Sequence, residues 1–558
     1  MRRLDGTASE RAILLGCGLT VVALSLVPLG RLLAEGLISG ALWDVLTSPR
    51  TWLAAERTLA TALASTAIAL VLGTAMALLL GATDIGGKSA LGFAFLLPLT
   101  IPSQVTAISW IELLGPTSPL LKTLGLAPPV GTPHPLYGFG GISFLMGLEH
   151  APLVFLSART GIRSLPGELI EAAEAAGAGG FRITRTILLP LLRPALVAGG
   201  ALAFVSALGN FGTAALLGIP AGYSVLSVAI YRELAGFGPR AIASVAVLSL
   251  LLAAIAALGV AVQTVASRRR DVSAARPSAR RLLALRRWRP FLSALAWLIV
   301  AMLVALPLMA LLSTALVRAY GLPLNAATIT SENFRYVLTE HAATARAALN
   351  SLFLAGSTAI LTAGASVVLA YLVVWRSGTF ARLVSIAAEL PYALPGVVLA
   401  LAMILVFLRP LPLLGLTLYG TLGIMVVAYI ARFLVLALRT TVASYLQIHG
   451  SLEEAARGFG AAFLRRIGTV ILPLAGPAVA AGAVLVFLTA LNELTVSALL
   501  WSAGNETLGV VVFSLEQAGD NTSAAALSVL TVLATVALMV TASLAARRLP
   551  RGLLPWQS

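Results

Sequence analysis

Twelve apolar runs, each close to the roughly 20 residues needed to cross a bilayer core, divide this chain of 558 residues. They are predicted near 12–34, 58–80, 91–114, 138–158, 187–208 and 241–266, and again near 291–316, 349–374, 383–408, 418–438, 470–490 and 523–546. Runs of this length and density have no place in water. The composition agrees: 59% of residues are hydrophobic and 11% charged, against roughly 45–50% and about 25% in a soluble domain. The predicted fold class is an all-α membrane protein with twelve transmembrane helices.

The net charge of +16 would suit a nucleic-acid partner if it were gathered on one folded face. It is instead dispersed over the short segments between apolar runs, so no nucleic acid is expected as a partner. With the N-terminus placed inside, 26 of the 38 Lys and Arg fall in inside segments and 9 in outside ones, Arg31, Arg193 and Arg432 remaining within spans. The positive-inside bias then predicts a multi-pass membrane protein with both termini cytoplasmic. Ser267 to Arg289 alone holds nine arginines and reads as a cytoplasmic linker against membrane lipid. A single cysteine, Cys17, excludes an internal disulfide. Leu14-Leu15-Gly16-Cys17 resembles a lipoprotein cleavage box, but five residues between Arg11 and Cys17 are too few for a signal h-region. The N-terminus is therefore expected to be an uncleaved first span.

The chain also repeats itself. Leu97-Pro98-Leu99-Thr100-Ile101-Pro102 returns as Leu390-Pro391-Tyr392-Ala393-Leu394-Pro395, and Ser65-Thr66-Ala67-Ile68 as Ser357-Thr358-Ala359-Ile360. Further on the offset shortens to 283, because the first half has a longer external loop containing Pro128, Pro129, Pro133 and Pro135. Six spans per half make two parallel six-helix repeats, with a pathway expected at their interface. The expected domains are 1–266, a linker over 267–290, and 291–558. Pro98 with Pro102, and Pro391 with Pro395, open the backbone ladder within a span, which a bilayer tolerates only beside protein or a water-filled cavity. These four prolines are candidate pathway residues.

The longest cytoplasmic loop of each half carries one motif. Glu171-Ala172-Ala173, Gly177 and Ile187-Leu188-Leu189-Pro190 match Glu454-Ala455-Ala456, Gly460 and Val470-Ile471-Leu472-Pro473 in register at offset 283. Ala and Glu favour a short surface helix, and a following Gly supplies the turn that sends a second helix off at an angle. Proline is then expected to open the next span. One copy could be an alanine-rich connector; two at equivalent places of a repeat are not coincidence.

This pattern resembles the signature loop of the membrane permeases of binding-protein-dependent ABC importers. The resemblance covers nearly the whole chain and implies the ABC importer permease fold, here two permease domains fused. It implies that each loop is a coupling helix docking in a cytoplasmic ATPase subunit, two copies in all, with Glu171, Ala172, Ala173, Gly177, Glu454, Ala455, Ala456 and Gly460 as coupling positions. Glu174 and Arg457 differ between the copies, so the two contacts need not be equal. It further implies a bacterial inner (plasma) membrane as the location, a periplasmic substrate-binding protein, ATP hydrolysis on the partner rather than on this chain, and no cofactor bound here. More narrowly, Gly209-Asn210-Phe211-Gly212-Thr213-Ala214-Ala215-Leu216-Leu217-Gly218-Ile219-Pro220 and Leu491-Asn492-Glu493-Leu494-Thr495-Val496 are similar to stretches of ferric-iron permeases. Iron(III) is thus the first expected cargo, with thiamine, polyamine and phosphonate permeases as alternatives. A secondary transporter with two six-span halves would share the architecture but has no use for two identical loops.

Other signals carry less. Gly87-Lys88-Ser89 has alanine at 82, where a P-loop needs glycine. The histidines 134, 150, 341 and 449 lack ligand spacing. Glu112, Glu149, Glu389, Arg193 and Arg432 lie within or beside spans, mostly near predicted ends, where snorkelling is the ordinary account. Glu493 aligns with Asn210, placing a polar group from each half at the external ends of equivalent spans, and both join the candidate pathway.

Overall fold

The computed structural model describes residues 8–129, 131–236, 240–268, 283–376, 378–410, 415 and 417–545. Within them the chain is helical, and its β pairing is confined to the isolated bridges Thr83 to Leu283 and Val317 to Ile329. Most of the arginine-rich linker and the C-terminus after 545 lie outside the described residues. Among the described residues ten helices are long and apolar enough to cross a membrane: Ala8–Ile38, Pro49–Ala82, Phe139–Arg163, Gly180–Gly209 and Ala241–Val265, then Arg286–Ala315, Ala342–Trp375, Leu422–Tyr445, Phe463–Leu491 and Asn521–Leu544. The third and ninth expected spans are not single helices. Lys88–Thr100 meets Ser103–Thr123 at 102°, and Thr379–Ala393 meets Gly396–Phe407 at 111°.

Packing decides whether these bent pairs cross. Gly147 lies against Ser65 and Ile68, Gly73 against Ala151 and Val154, and Gly81 against Ile162, so the second and fourth spans run side by side in the same direction. Their counterparts do likewise: Ser366 Oγ sits 2.9 Å from Thr441 Oγ1, and further along both helices Trp375 stacks on Tyr445 with ring centroids 5.0 Å apart. Two parallel helices begin on the same face, so the chain between them must return across the full thickness. Each bent pair is therefore one crossing, and the described residues make twelve.

Contacts between loops sort the crossings onto two faces. On one, Glu10 meets Arg376 and Arg466, and Asp84 Oδ1 accepts from the Leu285 amide at 2.9 Å. On the other, Asp44 pairs with Arg240 at 3.3 Å, Lys122 Nζ donates to the Gly321 carbonyl at 2.6 Å, and Arg346 reaches Glu506 at 3.3 Å.

The halves of the sequence are not separate in space. Ala8–Ile38 packs on the second half, with Gly18 against Phe380 and Val384 and Ser25 Oγ donating to the Ala387 carbonyl at 2.5 Å. Arg286–Ala315 reaches into the first half in return, its Thr314 hydroxyl donating to Glu112 Oε2 at 2.7 Å. Each half contributes its opening helix to the other, so apolar surface that one half alone would turn to lipid becomes interface.

Candidate functional site

The two bends meet between the halves. Ile101 and Leu394 are extended, with ψ 135° and 143°, and Pro102 and Pro395 follow at φ −55° and −53°. A proline clashes with a helical residue before it and brings no N–H, so the second proline of each pair makes the break. Pro98 and Pro391 lie inside continuous helices. The carbonyls freed at the breaks find donors: Asn492 Nδ2 reaches Thr100 O at 3.0 Å from the opposite half, and Arg432 Nη1 reaches Leu394 O at 3.3 Å. Broken backbone at membrane depth persists only when satisfied in this way.

Asn210 and Glu493 occupy equivalent turns. The Thr213 amide donates to Asn210 Oδ1 at 3.2 Å, and the Val496 amide to Glu493 Oε1 at 2.9 Å, so each side chain caps the short segment that follows its span. Their remaining atoms differ. Asn210 Nδ2 donates to Glu149 Oε2 at 2.6 Å, and Thr213 Oγ1 to Glu149 Oε1 at 3.0 Å. Glu493 Oε2 instead lies 3.7 Å from Arg432 Nε. Glu149 and Arg432 are themselves related by the 283 offset, a signal in the sequence that could have paired all four residues. The expectation that such groups snorkel at span ends is corrected for three of them: Glu112 and Glu149 are 1% and 4% exposed, and the Arg432 side chain 14%. Burial against partners holds them, as it must for charge at membrane depth. Glu389 is exposed on the protein surface and pairs with Arg439 at 3.2 Å. Beyond these turns a cavity of about 320 Å³ opens between the halves, lined among others by Ile219, Tyr231, Trp501, Phe513 and Gln517.

The two motif loops share one geometry. Helices Gly167–Ala175 and Gly450–Gly458 end at Gly177 and Gly460, whose φ values are +80° and +77°. The Ala178 amide donates back to Ala173 O at 2.9 Å, and the Ala461 amide to Ala456 O at 3.1 Å, the six-to-one bond of a Schellman cap. The alanine closing each triplet thus supplies the accepting carbonyl, while Glu171, Ala172, Glu454 and Ala455 are exposed. Leu169 and Leu452 occupy equivalent positions on these helices and are each 46% exposed. One expectation is corrected here. Pro190 and Pro473 do not open their spans, which start at Gly180 and Phe463. Each follows a π-helical turn, Thr184–Leu188 and Ile467–Ile471, in which the amide before the proline bonds five residues back. The wider turn accommodates a residue that lacks a donor.

Residues 73–272 and 363–554 match the family of binding-protein-dependent transport system inner membrane components. The chain belongs to this family. The match falls once in each half, so two permease domains are fused in a multi-pass membrane permease, the transmembrane subunit of an ABC importer. A probable ABC transporter permease protein of Sinorhizobium fredii is 26% identical over 93% of this chain and 89% of its own length. The ferric transport system permease protein of Actinobacillus pleuropneumoniae is 25% identical over 80% of this chain, which spans 64% of that protein. A sulfate transport system permease protein of Salmonella typhimurium is 30% identical over 40% of this chain and 80% of its own length. Importers of this family work with ATPase and substrate-binding partners, and the relatives are permease subunits rather than enzymes.

Proposed function

We propose that this permease imports iron(III) delivered by a periplasmic binding protein, and that two copies of a separate cytoplasmic ATPase drive it through the loops after Arg163 and after Tyr445. The observation that carries the coupling is the repetition of one cap geometry in both loops, each presenting an exposed glutamate and an exposed leucine on the same face of the molecule. Exposed apolar side chains on a polar face are what a docking partner covers. Among the described residues that face also carries most of the Lys and Arg, which supports its being cytoplasmic. The break region, with Asn210 and Glu493, is the proposed pathway, and its carboxylates are hard oxygen donors of the kind a ferric ion meets readily. Iron as cargo is further supported by the ferric relative, which aligns with both halves, whereas the sulfate relative aligns over 40% of the chain.

The test is uptake. Cells lacking this chain should lose accumulation of radiolabelled iron(III) at limiting supply and keep sulfate uptake. Loss of sulfate uptake with iron uptake intact would overturn the proposed cargo and leave the family assignment standing.

A further inference from the structure

The two loops are alike outside and unlike beneath. Under the second lies a buried ionic cluster. Arg466, 2% exposed, donates through Nη2 to Glu10 Oε2 at 2.7 Å and through Nη1 to the carbonyl of Ala461 at 2.9 Å, and its Nε lies 2.9 Å from Glu453 Oε1. Tyr371 OH donates to the same Glu453 oxygen at 2.8 Å, and Arg376 Nη2 donates to Glu10 Oε1 at 2.5 Å. Four pieces of chain meet there: the opening helix of the first half, the end of the eighth span, the loop helix Gly450–Gly458, and the start of the eleventh span. Ala461 is the residue whose amide closes the Schellman cap, so Arg466 grips the loop at its turn.

Among the described residues, the side chains at the equivalent positions under the first loop are apolar. Offset 283 puts Ile170 at the position of Glu453 and Ile183 at that of Arg466, and they are 2% and 1% exposed in a hydrophobic cluster. Leu79, in the position of Tyr371 by the 292 offset, packs against the same cluster. A hydrophobic joint is non-directional and lets side chains slide. A buried charge cluster tolerates few arrangements, because a displaced partner leaves a charge unpaired away from water.

We infer that Arg466, held by Glu10, Glu453 and Tyr371, is a positioning residue that fixes the second loop to the membrane helices, so that this loop transmits movement rigidly while the first transmits it through a compliant joint. The inference rests on the proposed reading of these loops as ATPase contacts. It also gives the first helix a purpose in its exchanged position, since Glu10 reaches the loop of the half to which it does not belong in sequence.

Hydrogen exchange on the full permease in lipid nanodiscs tests the brace, and transport per ATP hydrolysed in the reconstituted importer tests its use. Arg466→Lys keeps the charge but replaces the guanidinium fork, which donates to Glu10 and to the Ala461 carbonyl through separate nitrogens, with a single ammonium on a shorter stem. It should raise amide exchange over 453–461 at least tenfold, leave 170–178 unchanged, and lower iron(III) transported per ATP at least threefold with the ATPase still bound. Tyr371→Phe, which removes one hydroxyl, should shift the same readings in the same direction by less. Equal changes at both loops, no change at either, or a local change with transport per ATP unaltered would each overturn the inference. A separate control addresses the underlying reading: Leu169→Cys and Leu452→Cys should each cross-link to the ATPase in an otherwise unaltered chain. If neither does, the coupling assignment fails whatever Arg466 does.

Discussion

At the scale of single residues, the two halves solve one problem with different chemistry. Asn210 and Glu493 cap equivalent turns, but Asn210 faces the Glu149 carboxyl while Glu493 faces the Arg432 guanidinium. Removing one member of a buried pair strands the other, at a cost of about 3–5 kcal/mol. Glu493→Gln keeps the cap to Val496 and loses the charge opposite Arg432, so uptake and thermal stability of the purified permease should both fall well below those of Glu493→Asp. Arg432→Glu combined with Glu493→Asn copies the first half's pair and should regain stability relative to Glu493→Asn alone. Unchanged uptake and melting temperature in Glu493→Gln would show that the ion pair has no part in transport.

At the scale of elements, the loop caps were readable in the chain and the bends only partly so. Glycine six residues after each Glu predicts a left-handed turn, and both glycines adopt one. Among the described residues, no atom outside the adjoining chain lies within 4 Å of where a β-carbon would stand on Gly177 or Gly460, so substitution there costs conformation rather than space, about 1–2 kcal/mol for an ordinary residue. Gly177→Val and Gly460→Val should each lower ATPase association and transport while the chain still inserts, and the double variant should lose more than either. Asn at the same positions, which visits this region readily, should be close to wild type. Equal behaviour of Val and Asn, read by ATPase co-purification, would remove the turn from the coupling argument. The paired prolines announce a break but leave its angle open, because the bend is set by Asn492 and Arg432 reaching in from elsewhere.

At the scale of the whole molecule, the exchanged opening helices make the fused chain hard to divide. Expressed as two chains, 1–268 and 283–558, the halves should co-purify in detergent, and deletion of residues 1–40 from the first should weaken their association, because Ser25 and Glu10 bind the second half. Recovery of the halves as independent monomers would contradict this packing. Membrane orientation has its own check. A reporter that fluoresces only outside the cytoplasm, fused after Arg289, should be silent; a strong signal would invert the proposed arrangement.

Much of this protein is settled by local pattern. The crossings follow from apolar run length, because the bilayer admits backbone only as helices with their own hydrogen bonds satisfied. The loop turns follow from glycine, because few other residues accept positive φ at low cost. Tertiary structure alone decided which surfaces are interface and which face lipid, since an apolar helix face reads the same in either case. For that reason the opening helices gave no sign in the sequence that they cross to the opposite halves. Nor did Glu10 announce its pairing with Arg466, more than 400 residues further along the chain. Charge partners are chosen by proximity, and proximity is known only once the helices have packed.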